Sequence, residues 1–192
     1  MQNYYASRDH EKMKEVLMSP DREGPAIHYY MIRGGSEKTN ITVWEMGLIG
    51  REYIKTYGHY HVGDVNEKYT VLQGKGIIII QERSLDVNGI PIDDEISNFS
   101  AKFVKSGDEI NIPKNAGHLM VNVGKVWLVM SDNSPVSFEE KDPVSLPGHA
   151  DYEPFRKLRG AAYYVVEKDG KPTLVKNPNY KKVPSASISN HP

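Results

Sequence analysis

The chain has 192 residues, enough for one domain that buries a sizeable core without staples. Its 24 Lys and Arg against 25 Asp and Glu leave a formal net charge of −1, which excludes a bulk basic field for nucleic acid or an anionic membrane surface. Cysteine is absent, so disulfides, thiolate metal sites and cysteine nucleophiles are excluded, and any metal ligand must be nitrogen or oxygen.

In chain order, the N-terminal stretch lacks the basic start and apolar core of a secretory signal. No apolar run approaches the roughly 20 residues of a membrane helix, so a cytoplasmic protein is expected. Ser7 is placed to cap a short helix over residues 8–18, closed by Ser19-Pro20, which makes residues 1–24 an arm. Beyond it, short strand-like runs separated by turn residues mark a sandwich or barrel. They fall near 26–32, 40–46, 49–56, 58–62, 67–73, 76–82, 99–105, 108–112, 117–123 and 126–131. The isoleucines at 77–80 read as a buried strand from their β-branching. Residues 86–97, with Asn88-Gly89, Pro91 and Asp93-Asp94-Glu95, read as a solvated acidic loop. Residues 134–153, rich in proline, read as a long irregular wall, and 161–175 as a hairpin around Asp169-Gly170. Residues 181–192 are polar and expected to be disordered. The fold expected is all-β, with residues 25–180 as a single barrel domain, a short N-terminal helix in the arm and helix a minority.

The chemistry concentrates in two segments. The first is Gly58-His59-Tyr60-His61, five residues, Glu67, and six residues to Gly74. The second is Gly107, five residues, Pro113, four residues, His118, three residues and Asn122. Side chains alternate along a strand, so His59 and His61 point the same way and can share one ion. A turn at Gly63-Asp64 would fold Glu67 back beside them, and a second hairpin after Pro113 would deliver His118 to the same interior. Two separated segments converging on one point imply a closed sheet.

These segments resemble the paired motifs of the cupin superfamily, whose double-stranded β-helix, or jelly-roll barrel, surrounds one divalent ion. Within it the chain is similar to the cupin-type glucose-6-phosphate isomerases of archaea and some bacteria. The likeness runs over about residues 25–180 and includes Thr42-Val43, Gly50-Arg51-Glu52, Thr56-Tyr57-Gly58-His59, Tyr69, Gly74-Lys75-Gly76, Val121-Asn122-Val123-Gly124, Gly148-His149, Tyr152 and Lys176-Asn177-Pro178. It implies that His59, His61, Glu67 and His118 are metal ligands. It implies that Thr42, Thr56 and Gly58 hold the substrate phosphate and that Tyr69 and Tyr152 contact the sugar phosphate. Tyr29 and His149 are further candidates. The His-to-Glu gap is one residue shorter than the family's usual spacing.

Three imidazoles and a carboxylate leave two positions open on an octahedral ion, which two adjacent sugar oxygens can fill. Iron(II) or manganese(II) is the expected ion, with nickel(II) or zinc(II) as alternatives. The expected reaction is interconversion of glucose 6-phosphate and fructose 6-phosphate. Either a cis-enediol with Glu67 as base or a hydride shift between C1 and C2 would serve. The same ligands also suit another sugar-phosphate isomerase or epimerase, or an iron-dependent oxygenase. A non-catalytic sugar-binding module of the same fold is the non-enzyme alternative. A homodimer is expected, with Tyr4, Tyr5, Val16, Leu17 and Met18 of the arm offered to the second copy.

Overall fold

Residues 5–34, 40–134 and 150–190 are described by a computed structural model of the chain. The arm contributes β1 (Tyr5–Asp9), α1 (His10–Met13) and a single 3-10 turn (Lys14–Val16). The barrel begins with β2 (Ile27–Ile32), β3 (Asn40–Trp44), β4 (Leu48–Ile49), β5 (Glu52–Tyr53) and β6 (His59–His61). It continues through β7 (Glu67–Gln73), β8 (Lys75–Leu85), β9 (Pro91–Lys105), β10 (Glu109–Ile112), β11 (Gly117–Asn122) and β12 (Leu128–Asp132). After it come β13 (Ala150–Asp151), α2 (Glu153–Lys157), β14 (Tyr163–Lys168), β15 (Lys171–Lys176) and β16 (Ile188–Asn190).

Two six-stranded sheets face each other, ordered β1-β2-β3-β12-β7-β10 and β13-β6-β11-β8-β9-β16. A smaller sheet, β15-β14-β5-β4, covers one flank. Strand β8 lies between β11 and β9, and its Ile77, Ile78 and Ile79 are all buried, because both faces of a covered strand meet packed side chains. Between the main sheets, Tyr29, Met31, Trp44, Val71, Met120, Leu128 and Met130 close the core.

Three expectations change. Strands β6 and β7 do not form a hairpin: they lie in opposite sheets, and so do β10 and β11. Each of the two motif segments therefore crosses from one sheet to the other, and convergence comes from the stacking of the sheets. The helix is shorter than expected, because residues 5–9 pair with β2 with Ser7 opposite Tyr30. Asp9, not Ser7, is the cap, accepting from the Lys12 amide at 2.8 Å. The acidic loop is also shorter. Strand β9 begins at Pro91, and a tight turn remains in which the Asn88 and Ile90 amides donate to Asp86 Oδ1 at 2.8 Å.

The tail departs from expectation as well. Within it, Ile188–Asn190 pairs in parallel with β9 through Ile188 opposite Ala101, and the Lys181 amide donates to Asp94 O at 2.9 Å. The unpaired edge of β9 offers donors and acceptors that a short extended segment satisfies. Val16 and Leu17 are buried in the chain's own core, so these arm residues are not surface offered to a second copy. The arm is fastened by the buried Glu52–Lys55 ion pair. Lys55 donates to Val16 O at 2.6 Å, and the Met18 amide donates to Glu52 Oε2 at 2.8 Å. Tyr4 lies outside the described residues.

Candidate metal centre

Antiparallel pairing sets His118 of β11 opposite His59 of β6, so the two imidazoles extend from one face of the sheet. His61, one pleat on, joins them, and Glu67 reaches across from the first residue of β7. One donor atom from each of the four residues lies within 4.8 Å of all the others. Among the described residues this is the one cluster able to hold a metal ion. His61 Nε2 is 3.0 Å and His118 Nε2 is 3.1 Å from the same Glu67 oxygen. The His118 nitrogen is close but not aligned as a hydrogen-bond donor, and both its ring nitrogens are buried without a hydrogen-bond partner among the described residues. A buried imidazole left so is costly, and a coordinated cation relieves that cost. The donor set and its spacing thus fit a divalent ion.

Burial by itself raises the Glu67 carboxyl, but the His118, His61 and His59 imidazoles beside it outweigh this and hold it well below the usual range. It is therefore an anion at neutral pH. Burial, with the negative charges of Glu67 and Asp132, pushes the Tyr69 phenol well above its ordinary value, and its hydroxyl hydrogen-bonds the Glu67 carboxylate. Tyr69 also stands edge-on to His118 with ring centres 5.6 Å apart.

Why the chain turns as it does before His59 is visible at Gly58. Its φ is +85°, and a Cβ there would lie 2.5 Å from the Phe155 ring, so only glycine lets α2 pack this close. Phe155 in turn holds Tyr60, which points away from the metal cluster and receives a hydrogen bond from Gln81 at 2.9 Å. Residue alternation thus assigns His59 and His61 to the interior and Tyr60 to the support behind it.

One cavity opens over the cluster, lined in part by Thr42, Thr56, Gly58, Tyr69, Tyr152 and Tyr29, together with His59, Glu67 and His118. Every described residue expected at the substrate or phosphate therefore lines the space beside His59, Glu67 and His118. His61 packs behind it, and His149 lies outside the described residues. Thr56 Oγ1 accepts from the Met120 amide at 3.0 Å, which leaves its O–H to donate outward. Tyr152 sits 5.3 Å from His59, ring to ring. Its phenol is pushed up to about 12, chiefly by burial and then by Tyr29, while Arg8 and Arg33 oppose the rise. Tyr29 is raised for the same first reason, stacks 6.3 Å from Trp44 and receives the Tyr57 amide at 3.3 Å. These tyrosines are neutral hydroxyl donors. Asn122 of the second motif does other work, bracing Glu45 O and Val126 O at 3.0 Å each.

Sequence reading missed Arg33, Asp132 and Trp44, which line the same cavity. A signal for the first was present. Tyr29, Met31 and Arg33 follow the period of two along β2, so a tyrosine facing inward carries the arginine inward too. Trp44 follows Thr42 by the same rule, and its indole Nε1 is buried without a partner among the described residues.

The sequence is similar to those of known proteins. The family model for glucose-6-phosphate isomerase (GPI) matches residues 29–183. The glucose-6-phosphate isomerase of Pyrococcus furiosus is 26% identical over 188 residues, covering 95% of this chain and 85% of that protein. That of Pyrococcus abyssi is 29% identical over 177 residues, covering 89% and 80%. Among solved structures, the Drosophila melanogaster CENP-C cupin domain aligns with a TM-score of 0.39 at 11% identity, covering 70% of this chain and 84% of that one.

Proposed function

The chain belongs to the glucose-6-phosphate isomerase family, and from that premise we propose that it interconverts glucose 6-phosphate and fructose 6-phosphate at the His59, His61, Glu67 and His118 cluster. The observation that carries the reading is the coincidence of a four-donor cluster with a cavity of neutral hydroxyl donors in one space. A divalent ion on these donors, iron(II) or manganese(II) in preference to nickel(II) or zinc(II), would supply polarisation of the sugar's C1 and C2 oxygens. His59, His61 and His118 bind as neutral imidazoles, and their rigid strands fix the donor positions.

Thr42, Thr56 and Gly58 hold the phosphate through hydroxyl and amide donors, and Tyr29, Tyr69 and Tyr152 orient the sugar. Glu67 takes the proton from one carbon and returns it to the other, which passes through a cis-enediol. One observation favours a second route. A carboxyl held well below its usual range is a weak base, which favours hydride transfer directly between C1 and C2. Turnover in deuterium oxide separates the two, since only the proton route admits solvent deuterium to the product. The proposed working form is a homodimer in the cytoplasm. Among the described residues no helix is long and apolar enough to cross a membrane.

The test is a coupled isomerase assay on the chelator-stripped protein reloaded with each ion in turn. Fructose 6-phosphate formation that vanishes on stripping and returns on reloading supports the proposal. No turnover with any divalent ion would overturn it. Oxygen uptake with iron(II) would instead mark an oxygenase.

A further inference from the structure

Arg33 is the one Lys or Arg among the described residues that lines the cavity over the metal cluster, and the carboxylates there are Glu67 and Asp132. Its position follows from register. Tyr69 of β7 lies opposite Asp132 of β12, and Asp132 lies opposite Asn40 of β3. Extending the β2–β3 register by one residue past Ile32 and Ile41 sets Arg33 across from Asn40. One row thus runs from the tyrosine that touches Glu67 to the arginine.

The guanidinium is only lightly engaged. Its Nη1 is 3.3 Å from Asp132 Oδ2, and its Nε is buried without a hydrogen-bond partner among the described residues. Asp132 does not depend on it for position: the other carboxylate oxygen accepts from Asn40 Nδ2 at 2.7 Å, from the Ser134 amide at 3.1 Å and from the Ser134 hydroxyl. A guanidinium carries five donors in a planar fork shaped for an oxyanion, and here most are unspent beside a cavity otherwise equipped with neutral donors.

We propose that Arg33 is the residue that binds the phosphoryl dianion of the substrate, turning from its single contact with Asp132 to charge-assisted hydrogen bonds with the phosphate oxygens. Asp132, held by Asn40 and Ser134, keeps the guanidinium at the cavity wall while no anion is present. Arg33 is then a determinant of specificity for phosphorylated over free sugars, added to the neutral donors of Thr42, Thr56 and Gly58. It rests on the isomerase reading only for the identity of the ligand carrying the phosphate.

The experiment measures binding of inorganic phosphate by calorimetry to the metal-loaded protein and to variants, alongside the isomerase KM and kcat and the unfolding temperature. Because Arg33→Met alone would leave Asp132 unpaired, the informative comparison is Asp132→Asn against Asp132→Asn with Arg33→Met. The added change is expected to weaken phosphate binding about 10- to 100-fold, the range of hydrogen bonds to charged groups. It should raise KM by a similar factor while kcat changes little. Arg33→Lys should restore part of the affinity but not the fork geometry. Phosphate affinity within about twofold of the Asp132→Asn protein, with both variants folded, would overturn the proposal and leave Arg33 a strand-end brace. If phosphate binding depended on Arg33 yet no isomerase activity were found, the inference would stand and the isomerase reading would fall.

Discussion

Lowering the pH from 7 to 5 should destabilise this protein through one buried histidine of the arm–barrel seam. His28 is fully buried in β2, with Nε2 3.0 Å from His10 Nδ1 and Nδ1 lacking a partner among the described residues. Burial first, then the charges of His10 and Lys55, lower its pKa from 6.5 to about 4, and Asp9 offsets only part of this. The unfolded chain therefore takes up a proton near pH 6.5 that the folded chain refuses until about pH 4. More protons on the unfolded state means that stability is complete above the higher value and is lost as pH falls toward the lower. At about 1.36 kcal/mol per unit, the full window is worth about 3 kcal/mol, and about 2 kcal/mol is gone by pH 5.

The assay is urea unfolding at a series of pH values for the parent and for His28→Gln, both chelator-stripped. The metal-cluster histidines are the same in both proteins, so any effect they have cancels in the difference. The variant starts from its own stability at pH 7, and the difference between the two proteins should shrink or reverse by about 2 kcal/mol at pH 5. Parallel stability curves for the two proteins across the window would refute the reasoning, because the buried histidine would then not be the group excluded from protonation.

Other outcomes follow from the same geometry. His118→Ala removes one of four donors and should weaken metal binding by more than about 10-fold, read as metal retained after dialysis, since even outer-shell losses reach that size. Glu67→Gln should abolish most isomerase turnover; near-native rates would exclude it as an essential base or ligand. Gly58→Ala must place a Cβ against Phe155 at a φ of +85°, and a loss of about 1–3 kcal/mol in urea unfolding is expected. Lys55→Met strands the buried Glu52 carboxylate and should cost about 3–5 kcal/mol, while adding Glu52→Leu should recover part of it in the same measurement.

The strands that build the barrel were legible because their patterns are local. Alternation in residues 40–44 and 67–73, the isoleucine run of β8 and the Asp169-Gly170 turn each carry their own signal. The helix was overread because Ser7 is a good cap by local chemistry, whereas β2 offers residues 5–9 a partner strand that sequence patterns do not announce. The same holds for Ile188–Asn190, whose partner lies some ninety residues away, on an edge that exists only once β9 has folded.

At the site, the candidate donors could be read from the sequence itself: residue type, chemical hardness and the period of a strand single out His59, His61, Glu67 and His118, and the structure brings the four together. Their convergence was not, because a period of two tells which side chains share a face but not which sheet that face meets. The tertiary structure decided that β6 and β7 oppose each other across the barrel instead of pairing, since the cost of leaving two apolar sheet faces in water is met by stacking them. It also decided that Arg33 comes within 3.3 Å of Asp132, a residue 99 positions away, at the wall of the same cavity. Distance in the chain hides such a meeting, and only packing reveals it.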